Sequence, residues 1–231
     1  KLKVIKNKLL DVRKKRTKPF FDDKTQIDLN AYWISTLIFV SEVFDKEHWK
    51  TLALKNYSII KDLTKDEIYH CYKEKEGVKV FLDDYAYLIQ LKINLYETTG
   101  EIIYLNDAKD IAQKTWDFFY DESNKILQKN LIEKNDLFVP PSDINDSNIP
   151  NGNSVFLLNC KKLEVITGDE KWQNMAKELT QSFHSFLNLQ STQMVSYMKN
   201  LDMCEELQTF TFYGDFKKNI ELHQYVKKNY L

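Results

Sequence analysis

Glycine and proline are scarce, 5 and 4 among 231 residues. So few turn formers leave little room for a fold of many short strands, and long segments with apolar residues at helical spacing favour helix instead. Cysteine is scarcer still. Cys71, Cys160 and Cys204 form no CxxC pair, which argues against a disulfide framework, a zinc knuckle or a redox motif and fits a reducing, cytoplasmic compartment. HExxH, GxSxG and a glycine-rich phosphate loop are all missing, so metalloprotease, serine hydrolase and P-loop chemistry fall away and no metal or cofactor is expected. The longest apolar run, Ala31 to Val40, is interrupted by Ser35 and Thr36 and falls far short of the roughly 20 residues that span a bilayer. No membrane partner is expected.

A surplus of charge is lacking too. Lys plus Arg number 33 against 34 Asp plus Glu, a net charge of -1, which gives no field for gathering nucleic acid. The local exception is the opening stretch, where Lys1, Lys3, Lys6, Lys8, Arg13, Lys14, Lys15, Arg16 and Lys18 face only Asp11. It reads as a solvated helix end. Methionine does not open the chain and no leader-like charged and apolar regions follow, so the sequence reads as trimmed at its front.

What is present is hydrophobic and aromatic: 43% and 13% of residues, enough for a packed interior. Three segments repeat an aromatic followed four residues later by alanine: Trp49 and Ala53, Tyr104 and Ala108, Trp172 and Ala176. From Tyr104 the stripe continues through Ile111, Ala112, Thr115 and Phe119, and from Trp172 through Leu179, Phe183 and Phe186, each the buried face of an amphipathic helix. Ahead of each lies a more uniformly apolar stretch, Asn30–Phe44, Leu82–Thr98 and Ser154–Thr167. A helix apolar nearly all round must be buried on most sides, so these are predicted inner helices ringed by the amphipathic ones. The expected fold is all-α, a single domain over 1–231 made of helical hairpins of an (α/α)6 toroid, incomplete at this length. Thr25 and Asp28 are predicted to cap the first inner helix as a capping box, and Gly100 and Gly168 to end the second and third. A long loop spans Ile132 to Gly152 with Pro140, Pro141, Asp143, Asp146 and Pro150; Gln208–Tyr213 is a strand candidate; a last helix runs from about Asp215 to Tyr230.

Polar motifs sit at the start of each inner helix: Asp22-Asp23-Lys24-Thr25-Gln26-Ile27-Asp28-Leu29-Asn30, Leu82-Asp83-Asp84-Tyr85-Ala86 and Pro150-Asn151-Gly152-Asn153-Ser154. Taken singly, each is ordinary helix capping, because carboxylates and amides satisfy free N–H groups there. In hairpins arranged round an axis, however, all inner helices open on the same end, so the three are expected to converge on one mouth. Successive residues on a helix point about 100° apart, so one member of Asp83 and Asp84 is expected to face a pocket while the other caps or pairs, and likewise for Asp22 and Asp23. The catalytic candidates are Asp23, Asp83 and Asp84, as an acid and base flanking a sugar bond. The ligand-binding candidates are Asp22, Lys24, Asn30, Tyr85, Asn151, Asn153 and Ser154, with Tyr85 and Tyr87 as apolar walls. His48, His70, His184 and His223 lie outside the motifs and are read as surface or packing residues.

These motifs resemble the YyaL-type family, known in animals as the spermatogenesis-associated thioredoxin-like proteins. Arg13, Arg16, Pro19, Asp22, Asp23, Lys24 and Asn30 are similar to its Arg-rich Pro-x-x-Asp-Asp-Lys segment. Leu82–Ala86 followed by Leu95-Tyr96-Glu97-Thr98-Thr99-Gly100 is similar to its most distinctive signature, Asp146 and Pro150–Ser154 to its Pro-Ser-Gly-Asn-Ser stretch, and Gln208–Gly214 to its late strand. The resemblance spans nearly the whole chain. It departs at Leu29, where the family usually has tryptophan, at Asn151, usually serine, and at Pro140 and Ser142, where the family often carries basic residues. It implies an α/α toroid like those of N-acylglucosamine 2-epimerase and the six-hairpin glycosidases, joined in the family to a thioredoxin-like domain of which this chain has no part. The epimerases use histidines as acid and base, and no histidine here falls at a matching motif. The expected function is a carbohydrate-type pocket, sugar isomerase- or glycosidase-like in the intact protein; alternatives are a non-catalytic module that holds a substrate or partner for a thioredoxin-like domain, and a plain helical scaffold. The partner expected is a sugar-like small molecule, with self-association through inner helices exposed at an open edge.

Overall fold

The computed structural model describes residues 2–73, 76–131, 144–205, 209–214 and 218–230. Among them the chain runs α1 (Leu2–Lys14), β1 (Thr25–Gln26), α2 (Ile27–Val43), α3 (Glu47–Leu63), β2 (Cys71–Lys73), β3 (Glu76–Val78), α4 (Leu82–Thr99), α5 (Ile102–Phe119), β4 (Tyr120–Asp121), β5 (Ile126–Leu127), α6 (Gly152–Thr167), α7 (Glu170–Gln190), α8 (Val195–Glu205) and α9 (Ile220–Tyr230). The pairs α2/α3, α4/α5 and α6/α7 are the predicted hairpins, and the fold is the all-α, toroid-type arrangement. No helix among the described residues is long and apolar enough to cross a membrane.

The inner helices differ as their sequences require. In α4, Leu82, Ala86, Tyr87, Ile89, Leu91, Ile93 and Leu95 are buried on every side, because the helix lies between α2, α5 and α6. In α6 every residue from Gly152 to Cys160 is buried. Only one face of α2 is covered, by Ile27, Ala31, Ile34 and Ile38, while Leu29, Trp33, Phe39 and Val43 are exposed. The outer helices bury the stripes read from sequence, with Ala108, Ala112, Thr115 and Phe119 from α5 and Trp172, Ala176, Leu179 and Phe183 from α7 wholly enclosed. Each fully buried large apolar side chain contributes about 1.5–3 kcal/mol relative to exposure. Gly100 and Gly168 end α4 and α6 in the left-handed region, φ 71° and 68°, a conformation that strains any residue with a Cβ.

Lys92 of α4 is buried in the wall, its Nζ donating to Asp107 Oδ2 at 2.6 Å and to Tyr57 OH at 2.9 Å. Burial pushes the Tyr57 phenol up, so it stays protonated.

Several expectations are corrected. Thr25 and Asp28 do not form a capping box: Thr25 pairs with Tyr72 in β1–β2, α2 begins at Ile27, and its N-cap Gln26 makes no side-chain cap. Among the described residues Thr209 to Tyr213 form no strand, and Gln208 is outside the described residues. The strands lie instead in the connectors, where β1, β2 and β3 make one small antiparallel sheet and β4 and β5 another. The last helix starts at Ile220, with residues 215–217 undescribed, and α8 was not foreseen. In the long loop, residues 132–143, including Pro140, Pro141, Ser142 and Asp143, lie outside the described residues.

Candidate functional site

The starts of α2, α4 and α6 surround one cavity of about 270 Å³, lined by Asp28, His70, Asp83, Lys129 and Asn151 among others. The N-termini of inner helices collect here because each follows a connector on the same end of the layer. The segment from β5 crosses α4, with Lys129 C=O accepting Leu82 N–H at 2.9 Å and Asn130 bridging Phe81.

Asp84 organises the cavity without lining it. It is wholly buried, and its two oxygens accept N–H groups from Asp28 (3.2 Å) and Phe81 (2.8 Å) and contact His70 Nδ1 at 3.0 and 3.2 Å. One carboxylate thereby caps its own helix and the neighbouring one. The free N–H groups of an α2 first turn are met from outside and inside the helix: Ile27 donates to His70 C=O at 2.9 Å, Asp28 to Asp84, and Leu29 to Asp28 Oδ1 at 2.7 Å.

Asp83 points the other way, into the cavity. Burial pushes its carboxyl up to about 6, an effect that Lys129 and the Gly152 N–H oppose and the charges of Asp28 and Asp84 reinforce. A Cβ at Gly152 would stand 2.9 Å from both Asp83 Oδ1 and Leu82 Cγ. Only glycine lets α6 begin so close to this carboxyl. Asp28 is also raised, first by burial and then by Asp84. His70 is raised too, chiefly by its hydrogen bond to Asp84, with burial opposing. Raised carboxyls and a raised imidazole lining a cleft make it a candidate functional site.

The loop wall is pinned by Asp146. It accepts Asn151 N–H and Nδ2 at 3.1 Å, Ser196 N–H at 2.7 Å and the Ser196 hydroxyl in a short contact. The Ser154 and Ser196 hydroxyls lie 2.8 Å apart, and Asn200 Nδ2 donates to Ser154 C=O at 2.9 Å. Asn151 also caps α6, accepting Ser154 N–H at 2.9 Å.

Of the residues predicted for the site, the structure brings Asp83 and Asn151 to the cavity. Asp22, Asp23 and Lys24 are exposed ahead of β1, with Lys24 paired to Asp22 at 3.1 Å, and none of the three lines the cavity. Asn30 donates to Gln26 C=O in its own helix at 2.6 Å. Tyr85 packs on Phe118 and Phe119, and Tyr87 is buried with its hydroxyl donating to Pro150 C=O at 2.8 Å. Asn153 clamps both backbone groups of Leu127 at 3.0 and 2.9 Å, and Ser154 belongs to the Asp146 network. Asp84, Asn153 and Ser154 therefore sit behind the cavity. His70, read as a surface or packing residue away from the motifs, in fact lies between them: the Gln26–Cys71 pairing places it at the mouth. Gln26, Lys129 and Phe81 were missed as lining residues, and Asp28 was seen only as a cap. No periodicity marks the first two: the β1–β2 register locates Gln26, and the pairing of the segment after β5 with the start of α4 locates Lys129.

Asp28, His70 and Asp84 each hold a ligand atom within 4.8 Å of the others, a spacing a divalent cation could use. The Asp84 oxygens already serve two backbone N–H groups and an imidazole, so the cluster is described as a hydrogen-bonded carboxylate–histidine pair.

No family profile and no curated protein sequence matches the chain. Solved structures do. The family 76 glycoside hydrolase α-mannanase of Bacteroides thetaiotaomicron matches with a TM-score of 0.63 and 16% identity over 92% of this chain and 58% of its own. Cellobiose 2-epimerase from Bacillus thermoamylovorans matches with a TM-score of 0.55 and 15% identity over 68% of this chain and 44% of its own. An α-1,6-mannanase of Salegentibacter, an inactive variant with two successive aspartates replaced by asparagine and α-1,6-mannotriose bound, gives a TM-score of 0.55 and 13% identity over 68% and 46%. At these identities the likeness establishes the α/α toroid, six-hairpin glycosidase-like fold. The chain spans about half the length of these structures.

Proposed function

We propose that the cavity binds a sugar, with Asp83 as its proton-donating group and Asp28 as the accompanying carboxylate. The carrying observation is the meeting of three helix starts around a carboxyl that burial pushes up to about 6. Such a group is partly protonated near neutral pH and can give a proton to a leaving or carbonyl oxygen. Hydroxyl-matching polar groups with one aromatic wall, Phe81, suit a sugar ring. The structural neighbours include mannanases and a sugar epimerase, and this reading extends their ligand class to the present chain. The motifs around Asp83 and Pro150 support membership of the YyaL-type family, and the buried free thiols Cys71 and Cys160 support a reducing, cytoplasmic setting.

One observation favours a second reading, a pocket that binds without turnover for an attached thioredoxin-like domain. With Asp84 committed to helix capping, only one of the adjacent aspartates is available to a ligand.

Calorimetry with α-1,6-mannotriose and cellobiose, paired with chromatography of the products, tests both. Binding is expected in the unaltered chain and in the surface control Asp22→Asn, with any turnover lost in Asp83→Asn. Binding without products selects the second reading. If neither sugar binds and Asp83→Asn behaves as the unaltered chain, the sugar pocket is wrong.

A further inference from the structure

His70 meets a fixed partner at each ring nitrogen. Nδ1 lies 3.0 Å from the Asp84 carboxylate, which also accepts two backbone N–H groups. Facing an acceptor, Nδ1 carries hydrogen in both charge states of the ring, so the titrating proton belongs to Nε2. That nitrogen stands 3.2 Å from the side-chain nitrogen of Gln26. When Nε2 is bare it accepts from the Gln26 amide NH2, and the amide carbonyl is what Gln26 has left for the cavity. When Nε2 is protonated, two donors confront each other. A half-turn about the last side-chain bond then sets the carbonyl on His70 and the NH2 toward the cavity. The two ends of an amide are nearly equal in size, so the half-turn requires no new space. Gln26 and His70 both line the cavity.

We propose that Gln26 is a ligand-reading residue of this cavity, and that protonation of His70 reverses which end of its amide a ligand meets. The choice of ligand rests on the sugar-pocket reading; the reversal itself does not. With His70 neutral, the carbonyl takes a hydrogen bond from a sugar hydroxyl. With His70 charged, an NH2 donor stands beside an imidazolium, and the same corner favours a carboxylate-bearing sugar. One residue thereby sets the preference between neutral and acidic sugars.

Three carboxylates bear on the ring: Asp84 and Asp83 from the start of α4 and Asp28 from the start of α2. All hold the proton on, and burial opposes them. Phe81 packs edge-on with its centroid 4.8 Å from the imidazole, and Lys129 shares the cavity. The reversal therefore has its midpoint above the ordinary histidine value of about 6.5.

The test begins with nuclear magnetic resonance on the whole chain, with the Gln26 side-chain NH2 signals assigned by their loss in Gln26→Leu. Those signals are expected to move with the midpoint of the His70 ring. Calorimetry with α-1,6-mannotriose and with glucuronate on either side of that midpoint supplies the second measurement. The mannotriose-to-glucuronate affinity ratio is expected to rise with pH, about tenfold more in the unaltered chain than in Gln26→Leu, the scale of one net hydrogen bond. Asp83 titrates in both proteins, so the difference isolates Gln26. An amide signal indifferent to the His70 midpoint overturns the reversal. Equal ratio shifts in the two proteins overturn the ligand-reading role. If neither sugar binds at any pH, the sugar-pocket reading fails and takes that role with it, while the amide signals still decide the reversal.

Discussion

Lys92 and His70 are both basic groups held by carboxylates within the helical layer, but their surroundings are balanced differently. Lys92 has one anionic partner, Asp107, and a phenol kept neutral by burial. The three groups bond to one another away from the cavity. Around His70 gather Asp28, Asp83 and Asp84, with Lys129 also at the cavity. Two of those carboxyls are raised above their ordinary value. A cluster that only stabilises can complete its own neutralisation, whereas one that handles a ligand retains groups ready to exchange protons. The two therefore respond differently to substitution.

The sharpest break comes from Asp84→Ala. It removes the acceptor for two helix N-termini and for His70, and a loss of about 3–5 kcal/mol is expected in urea unfolding at pH 7. A loss below about 1 kcal/mol would show that Asp84 is not the organiser of the mouth.

Asp83→Asn moves stability the other way. A carboxyl raised from 3.8 to about 6 binds its proton more tightly when folded, so the unaltered chain loses stability as pH climbs between those values. Asparagine does not titrate. The variant is expected to gain about 2–3 kcal/mol over the unaltered chain by pH 7, shrinking to nothing near pH 4. Parallel stability curves for the two proteins across that range would mean that Asp83 is not raised.

Lys92→Met should cost less, about 1–2 kcal/mol in thermal unfolding at any pH between 5 and 8, because the Asp107 side chain is 39% exposed and returns to water. A pH-dependent loss would erase the contrast between the clusters. Lys162→Ala, which removes a partly exposed pair with Glu97 at 3.1 Å, should change stability by less than about 0.5 kcal/mol.

The hairpins were legible in the sequence because burial imposes the helical period, and Tyr104, Ala108 and Ala112 or Trp172, Ala176 and Leu179 display it without tertiary information. The convergence of the three helix starts was also legible, since it follows from hairpin topology. Within each motif the sequence could not decide which neighbour faces inward. The cavity takes Asp28, Asp83 and Asn151, where Asp23, Asp84 and Asn153 stood equally well beforehand. Between Asp83 and Asp84 a step of one residue swings a side chain by about 100°. At Asn151–Ser154 burial of every residue removes the polar-apolar contrast that would mark the turn. Asp23 lies ahead of β1, outside the helix. His70 was beyond reach for another reason. It lies in a connector, and a strand pairing of two residues carries no periodic signal.

The capping of α2 also bears on the order in which the chain assembles. Its second turn-opening N–H is satisfied by a carboxylate 56 residues further along, and its first by the connector between α3 and α4. During synthesis the helix leaves the ribosome before either group does. Until α4 emerges, α2 is a frayed segment whose inward face, Ile27, Ile34 and Ile38, is bared to solvent, in need of shelter from chaperones or from neighbouring chain.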